Sequence, residues 1–202
     1  MANTSRINGF SVVKHQNGSP YNGQANLYYV ASAADEILVG DVVKLGGSST
    51  TSGIPTADLC GASDVPVGIV VGIVNSKLDP DGKLTSGSIT LDLPGVAQIA
   101  ASGAGYVLVA DSPDIVMEVE AANGTPTAND IGLNASHANG TRTSATYTSP
   151  AYIDFGTEAT TSTLNFRLLG FARKLDNEIG ASARMLVGFN VHQYGSVGTT
   201  GI

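Results

Sequence analysis

The run from Pro66 to Val74 is the feature that most restricts the fold of this chain. It reads Pro-Val-Gly-Ile-Val-Val-Gly-Ile-Val, so it is rich in β-branched residues, carries no charge and is interrupted by glycine. A similar phrase, Leu38 to Leu45, precedes it. Because β-branched side chains pack well on a pleated surface, both runs predict buried strands. The chain is therefore predicted to be mainly β.

The composition predicts an ordered chain with a weakly charged surface. Hydrophobic residues make up 42% of the 202 residues, which argues against wholesale disorder. Charged residues make up 13%, about half of the usual share, so the surface must be built from Ser, Thr, Asn and Gly. That composition is typical of virion, secreted and adhesive β proteins. A chain of this length can bury one sizeable core, and we expect one main body.

The charge balance and the apolar runs argue against two classes of partner. Ten basic and 17 acidic residues give a formal charge of −7. Because a nucleic-acid partner is bound mainly through cations on the protein, we expect no nucleic-acid partner. The longest apolar stretch, Val65 to Val74, is about half of what a spanning helix needs, so no membrane partner is expected. The first ten residues lack an apolar signal region, so we expect synthesis in a cytoplasm. The single cysteine, Cys60, is predicted to be a small buried or loop thiol.

Turn residues divide the chain into an arm, a body and a tail. Residues 1–25 show no sustained periodicity and predict an extended N-terminal arm with turns. Residues 26–194 are predicted to form the β-rich body, with a loop-rich insertion at about 121–160 that holds long loops or short peripheral strands. Residues 195–202 predict a flexible C-terminal tail. Five Asn-Gly pairs mark turns, and they begin at Asn8, Asn17, Asn22, Asn123 and Asn139.

Alternating apolar and polar residues predict the strands of the body. Strands at 26–30 and 37–45 are expected to form a meander, followed by a long surface loop at 46–58. A tight turn at 79–82 precedes a predicted strand at 88–93. The segments 106–110 and 115–120 flank Asp-Ser-Pro-Asp and predict a β-hairpin. On its second strand, Ile115, Met117 and Val119 are expected to face the core, and Glu118 and Glu120 the solvent.

The last third of the chain predicts two more strands and a short helical segment. Phe166 and Leu168 share one strand face whereas Phe171 has the opposite parity, so a bulge is predicted near Gly170. Residues 176–183 are predicted to allow one or two helical turns, and a strand follows from Met185. Eight or nine short strands separated by Gly-rich turns predict an all-β fold, an antiparallel β-sandwich or partly closed barrel.

No motif in the sequence has the spacing of a catalytic or metal site. The three histidines, His15, His137 and His192, are far apart. Asp79, Asp81 and Gly82 do not have the spacing of a calcium loop. No nucleophile elbow and no phosphate loop is found. The carboxylate pairs Asp111 with Asp114 and Glu118 with Glu120 are predicted to be solvated. We therefore predict no catalytic residue, no cofactor and no metal.

Several phrases resemble tailed-bacteriophage structural proteins of the capsid decoration, or cement, type. The likeness lies in residues 5–10, 13–15 and 19–24 of the arm and in the strand phrases 39–44, 67–70 and 106–111. It covers most of the chain in loose form and consists of strand phrases without catalytic residues. The resemblance implies a β-tulip or a jelly-roll-like body.

The resemblance implies a mechanical, non-enzymatic function. Such a protein binds the outer surface of the capsid lattice, bridges neighbouring capsomers and so stabilises the shell. The implied partners are the major capsid protein and copies of the chain itself, as a dimer or trimer, and the implied location is the virion. Aromatic residues and arginine are enriched at interface cores, so the hypothesis names Arg6, Phe10, Lys14, His15 and Tyr21 as anchors of the arm.

Two other classes of function stay open at this point. A tail, fibre or carbohydrate-binding β module would share the Gly, Ser and Thr content and the lack of a catalytic set. A small hydrolase would need a cleft with perturbed carboxylates or histidines, and no spacing in the sequence predicts one.

Overall fold

The computed structural model describes residues 3–31, 36–74, 98–99, 104–142, 148–195, 197–198 and 201. The predicted turn at 79–82 and the predicted strand at 88–93 lie outside these residues. Within them the protein is all-β, as predicted, with one 3-10 turn at Ala128–Asp130. The strands are β1 (Ser11–His15), β2 (Asn26–Val30), β3 (Ile37–Leu38), β4 (Val42–Ser49), β5 (Pro55–Leu59), β6 (Gly68–Val74), β7 (Gln98–Ile99), β8 (Gly105–Ala110), β9 (Ile115–Ala122), β10 (Asn134–Ala138), β11 (Tyr152–Ala159), β12 (Phe166–Phe171) and β13 (Arg184–Phe189).

Five strands close into a barrel, which we call the N-terminal barrel, in the order β2, β5, β4, β6 and β8. Neighbouring strands are antiparallel except for β2 and β5, which are parallel. Strands β3 and β7 pair separately. The core of this barrel consists mainly of valine, and its buried residues are Tyr28, Val30, Ile37, Val43, Ala57, Val67, Val70, Val107 and Val109.

The second sheet has six strands in the order β1, β9, β11, β10, β12 and β13. Because β13 also pairs with β9, the five strands from β9 to β13 form a second closed ring, which we call the C-terminal barrel. Strand β1 is added at its edge beside β9. The aromatic residues Phe10, Phe155, Phe166 and Phe189 belong to its core. The fold thus contains closed rings of strands, which agrees with the predicted all-β sandwich or barrel.

The apolar run at 66–74 packs against protein on both faces, with residues 66–70 and Val74 buried and residues 71–73 half-buried. In β6, Ile69 packs in the core of the C-terminal barrel, whereas its neighbour Val70 packs in the core of the N-terminal barrel. Strand β4 repeats the pattern with Val42 and Val43. A strand that is covered on both faces has a continuous apolar sequence in place of alternation. The contact between the two barrels therefore accounts for the absence of charge in this run.

Strands β8 and β9 do not form the predicted hairpin. Strand β8 pairs with β2 and β6 in the N-terminal barrel, whereas β9 pairs with β1, β11 and β13. Residues 111–114 therefore lead from one barrel to the other. The turn keeps a long local bond, from the N–H of Ile115 to the carbonyl of Ser112 (3.4 Å). A Pro and Asp signal predicts a change of direction, but it does not determine which strands pair afterwards.

Three polar segments also differ from their predictions. Residues 46–58 form the end of β4 and most of β5, joined by a turn in which Thr50 N–H donates to the carbonyl of Ile54 (2.8 Å). The predicted loop-rich insertion at 121–160 contributes β10 and β11, which lie inside the second sheet. Residues 176–183 contain no helical turn. By contrast, the predicted bulge near Gly170 is confirmed by a shift of register in β12.

The two barrels are joined by an aromatic residue and a buried ion pair. Phe10 is 3% exposed, stacks on Phe166 with ring centroids 4.9 Å apart, and donates its N–H to the carbonyl of Gly40 (2.9 Å). The guanidinium of Arg142 donates two hydrogen bonds of 2.9 Å to the two oxygens of the fully buried Asp41 carboxylate. Both contacts link residues distant in sequence, so each fixes one barrel against the other.

A loop of the N-terminal barrel, residues 60–64, is clasped by polar side chains of the C-terminal barrel. His137 Nε2 and Asn139 Nδ2 both lie 2.9 Å from the carbonyl oxygen of Cys60. Asn165 Nδ2 donates to the carbonyl of Asp64 (2.6 Å). These bonds satisfy backbone groups that the barrel contact buries.

The described part of the tail returns to the body. Val197 forms a bridge with Val191, and the N–H of Gly201 donates to the carbonyl of Thr160 (2.9 Å). None of the described residues belongs to a helix with the length and apolar character needed to cross a bilayer.

Candidate interaction surface

The first described residues, 3–10, lie against the C-terminal barrel without regular secondary structure. We call this segment the arm from here on. It is shorter than the arm predicted at 1–25, because residues 11–15 of that range form β1. Ser5 Oγ and the N–H of Arg6 donate to the two carboxylate oxygens of Glu120 (2.7 and 2.6 Å). Asn3 Nδ2 donates to the carbonyl of Glu178 (2.8 Å). Residues 3–8 are therefore held mainly by hydrogen bonds, while the buried ring of Phe10 fixes the end of the arm.

Two buried carboxylates of β9 bind the chain segments that cover this strand. Glu118 is 8% exposed and Glu120 is 2% exposed, so the prediction that both face solvent is wrong. Lys174 Nζ donates to Glu118 Oε1 (2.6 Å), and Arg184 Nε lies 3.6 Å from the same oxygen. One face of β9 packs on the core, as the alternation predicted, and polar chain segments cover the other face. Strand alternation identifies two faces but cannot tell whether water or protein covers the polar one.

A groove of about 880 Å³ opens between the arm and the connection from β12 to β13. Its rim includes an ion pair between Arg6 and Asp176 (3.2 Å), in which both side chains are 65% exposed. An exposed pair of this kind contributes at most about 1 kcal/mol to folding, so its charges are free to take other partners. Charges of both signs line the groove, from Arg6, Lys174, Arg184, Glu118, Glu120, Asp176 and Glu178.

The connection from β12 to β13, residues 172–183, displays apolar side chains to solvent, and we call it the Leu175 loop. Leu175 is fully exposed and Ile179 is 57% exposed. Asn177 braces the loop, because its Nδ2 donates to two backbone carbonyls (2.7 and 2.9 Å) and its Oδ1 accepts from the N–H of Arg184 (2.7 Å). The loop is thus held in place while it exposes leucine. Covering these side chains with a partner would gain hydrophobic free energy.

The structure brings the five predicted anchors to different places. Arg6 lies at the rim of the groove, and Lys14 is exposed on the edge strand β1. His15 and Tyr21 face each other beside a cleft, with ring centroids 6.2 Å apart. Phe10 is a core residue, so it has no surface to offer a partner in this structure. An aromatic residue in an extended segment predicts an anchor, but the sequence does not determine whether it is buried in the core of its own chain or in that of a partner.

The cleft beside His15 and Tyr21 has a volume of about 390 Å³ and lies where the chain passes between the barrels. His15 Nδ1 is 3.2 Å from Asp114 Oδ1. The Ser112 hydroxyl and His15 hold the pKa of the Asp114 carboxyl below its usual range. Burial, together with the nearby charge of Asp111, raises the pKa of Tyr21. The cleft therefore combines two aromatic rings with the carboxylate of Asp111.

Asp111 is the best-organised polar group of the cleft. Its carboxylate accepts two bonds from Asn26 Nδ2 (2.9 and 3.0 Å) and one from Tyr28 OH (2.7 Å). Burial raises the pKa of Tyr28, and its bonds to Tyr194 and Asp111 act in the same direction. The tyrosine thus stays a hydroxyl donor and holds the carboxylate in a fixed orientation.

The most reactive residue types are buried in the contact between the barrels. Burial raises the pKa of the Cys60 thiol to about 12, so the nucleophilic thiolate is not formed at neutral pH. Burial lowers the pKa of His137 and of His192, so both rings are neutral there. Across the described ranges, no three His, Cys, Asp or Glu side chains are grouped as metal ligands would be.

The residues that shape the groove are not predicted by local sequence patterns. Glu118 and Glu120 were assigned to solvent, and Leu175 and Asn177 received no role. One signal was available for Leu175, because it stands alone in a charged and polar segment, Arg-Lys-Leu-Asp-Asn-Glu at 173–178. No local signal predicts that Glu120 binds Ser5 and Arg6, since that contact depends on the fold.

Comparison with known proteins gave no relatives. No family model matches the chain, and it is not significantly similar to any curated protein or solved structure.

Proposed function

We propose that this chain is a non-enzymatic structural protein of a phage particle, which binds the outer surface of the capsid lattice and bridges capsomers. Its partners in this proposal are the major capsid protein and further copies of the chain. The proposal rests on the sequence resemblance to decoration proteins and on the physical character of the surface around the arm.

One observation carries the proposal: Leu175 is fully exposed on a loop that hydrogen bonds hold in place, and the loop borders a groove lined by charges of both signs. A fully exposed leucine gains hydrophobic free energy only when a partner covers it. The groove beside it offers cations and anions that fix the orientation of a partner, as polar rims of interfaces do. Together they form an apolar contact with an oriented polar border, which suits recognition of a protein surface.

The weakly charged surface supports the same function. Serine, threonine, asparagine and glycine outnumber charged side chains, so a lattice contact would rest on many neutral hydrogen bonds. Each bond contributes little by itself. A protein that contacts several lattice sites at once gains strength through multivalency. Weak individual contacts therefore agree with a protein that acts in many copies.

The test measures binding to expanded capsid shells that lack the chain. Purified chain is sedimented with the shells, and bound copies are counted relative to the major capsid protein. We expect a simple lattice ratio for the unmodified chain and a strong loss of binding for Leu175→Asp. Val197→Asp is the matched control, because Val197 is 95% exposed but lies on the returning tail. Equal binding of both variants, or a few copies per particle, would contradict the proposal.

A second candidate is a tail, fibre or carbohydrate-binding β module, and the cleft beside Tyr21 favours it. Aromatic rings, an amide and an oriented carboxylate are groups that bind the faces and hydroxyls of a sugar. Tyr21→Ala should then abolish binding to a glycan array. Binding to glycans with no binding to shells would replace the first candidate by this one.

A further inference from the structure

The five Asn-Gly pairs differ in how firmly the structure holds them. An asparagine followed by glycine can undergo deamidation, because the glycine has no Cβ to keep its backbone nitrogen away from the asparagine Cγ. The reaction needs free rotation of the asparagine side chain and of the following backbone. Hydrogen bonds to the side chain oppose it, since each must break before the two atoms meet.

Four of the five asparagine side chains are tied to other groups. Asn8 Oδ1 accepts from Arg184 (2.7 Å), and Asn17 Oδ1 accepts from the N–H and the hydroxyl of Ser19 (2.9 and 2.7 Å). The other two donate their Nδ2, Asn123 to Tyr152 OH (2.9 Å) and Asn139 to the carbonyl of Cys60 (2.9 Å).

The glycines add further restraint at two of these pairs. The N–H of Gly18, the attacking atom for Asn17, donates to the carbonyl of His15 (2.9 Å). Gly140 packs so tightly that an added Cβ would lie 2.2 Å from the carbonyl oxygen of Pro150. Neither backbone can reorient without breaking local structure.

The pair at Asn22 lacks these restraints. It is exposed, it lies in the segment between β1 and β2, and in the described part of the chain its side chain makes no hydrogen bond. Gly23 has a φ of +76° and open space around the position of a Cβ. No described group accepts the Gly23 N–H. This pair therefore has the freedom that the reaction requires.

We propose that Asn22 is a site of spontaneous deamidation in the folded protein. The Gly23 nitrogen loses its proton to solvent base and attacks Asn22 Cγ, a new C–N bond forms, and the side-chain amide nitrogen leaves as ammonia. The resulting succinimide is opened by water at either carbonyl. The products are aspartate and isoaspartate at position 22, with no oxidant or reductant involved.

The change places a new negative charge next to Tyr21 at the lip of the cleft, which already contains Asp111. In the isoaspartate product the backbone also runs through the side-chain methylene. Both changes fall on the connection that leads from the edge strand β1 into the N-terminal barrel. The reaction thus alters the lip of the cleft beside His15 and Tyr21.

The experiment follows the purified full-length chain at neutral and mildly alkaline pH by peptide mass spectrometry. Cleavage after Lys14 and Lys44 leaves Asn17 and Asn22 in one peptide, so fragment ions must assign the gain of one mass unit. We expect Asn22 to react about tenfold faster than any other pair, because the others must first lose a restraining bond. The rate should rise with pH, and reaction in ¹⁸O-labelled water should place one heavy oxygen at position 22.

Two controls separate structure from local sequence. Asn22→Gln lengthens the side chain by one methylene and removes the five-membered ring, so the major modified product should disappear while the other four pairs react as before. In denaturant all five pairs lose their restraints, and their rates should converge. Faster reaction at another pair in the folded chain, or an unchanged ranking in denaturant, would overturn the proposal.

Discussion

The two barrels bury different kinds of side chain. Among the described residues, the interior of the N-terminal barrel is almost entirely aliphatic, with Tyr28 as its one aromatic residue. The C-terminal barrel contains three stacked or edge-packed aromatic contacts around Phe166, and most buried polar residues of the described chain belong to it or to segments around it. These residues are Glu118, Glu120, Asn134, Ser136, His137, Ser149, Asn165, Asn190 and His192.

This difference means that the two barrels are stabilised in different ways. An aliphatic interior is stabilised by burial alone and tolerates any neighbour of the right volume. A buried carboxylate or imidazole is tolerated only when specific partners satisfy it. The C-terminal barrel therefore depends on the arm, the Leu175 loop and the 60–64 loop for its polar partners. The barrel that carries the groove is also the one whose buried polar groups depend on contacts with other segments.

The largest expected effect comes from breaking the buried ion pair between the barrels. Arg142→Met leaves the Asp41 carboxylate, which is fully buried, without its cation. Removing one partner of a buried pair destabilises a protein by about 3–5 kcal/mol. Urea unfolding followed by circular dichroism should show this loss. Lys44→Met is the matched control, because the Lys44 to Asp64 pair is about one third exposed and should contribute less than about 1 kcal/mol. Equal effects of both variants would contradict the prediction.

A pair of adjacent substitutions distinguishes the two cores. Ile69→Ala removes side-chain contacts from the C-terminal core, and Val70→Ala removes them from the N-terminal core. The isoleucine truncation should destabilise the protein by about 2–4 kcal/mol, and the valine truncation by somewhat less because fewer atoms are lost. Side-chain NMR signals should shift mainly around Phe166 for Ile69→Ala and mainly around Tyr28 for Val70→Ala. Identical patterns of shifts would show that the two cores respond as one.

The same contrast explains how much of the structure could be predicted from the sequence. The run from Pro66 to Val74 and the segment from Met185 were predicted as strands because their apolar pattern is local. Strand β10, Asn-Ala-Ser-His-Ala, was not, because its buried polar residues have partners elsewhere in the chain, such as the carbonyl of Cys60. The groove was missed for the same reason. A local pattern predicts which residues form a strand, but the partner of a buried Glu120 or His137 depends on long-range topology.

Acid should weaken the hydrogen bonds between the 60–64 loop and the C-terminal barrel before it affects the aliphatic core. Burial lowers the pKa of His137 in the folded state, while a hydrogen bond to the Cys60 carbonyl and the charges of Asp41 and Asp64 oppose the shift. The unfolded chain therefore binds a proton more readily, so stability present above about pH 6.5 is lost as the pH falls through the folded pKa. His137→Gln should flatten this fall in the urea midpoint. A fall of unchanged slope would assign the effect to other groups, His192 first among them because its pKa is also lowered.

The smallest effect is expected where the arm meets the C-terminal barrel. Glu120→Gln keeps the shape of the side chain, but one of its two oxygens becomes an amide nitrogen that faces a donor, either Ser5 Oγ or the N–H of Arg6. Losing one charge-assisted bond should loosen residues 3–8 by about 1–2 kcal/mol. The buried ring of Phe10 stays in place, so the urea midpoint should scarcely change. Trypsin cleavage after Arg6 should become about tenfold faster, since cleavage follows local opening. Asp176→Asn removes only the exposed pair with Arg6 and should leave the cleavage rate within about twofold. If Glu120→Gln instead lowers the midpoint as much as a core substitution, the arm is part of the cooperative core and not a separate element on its surface.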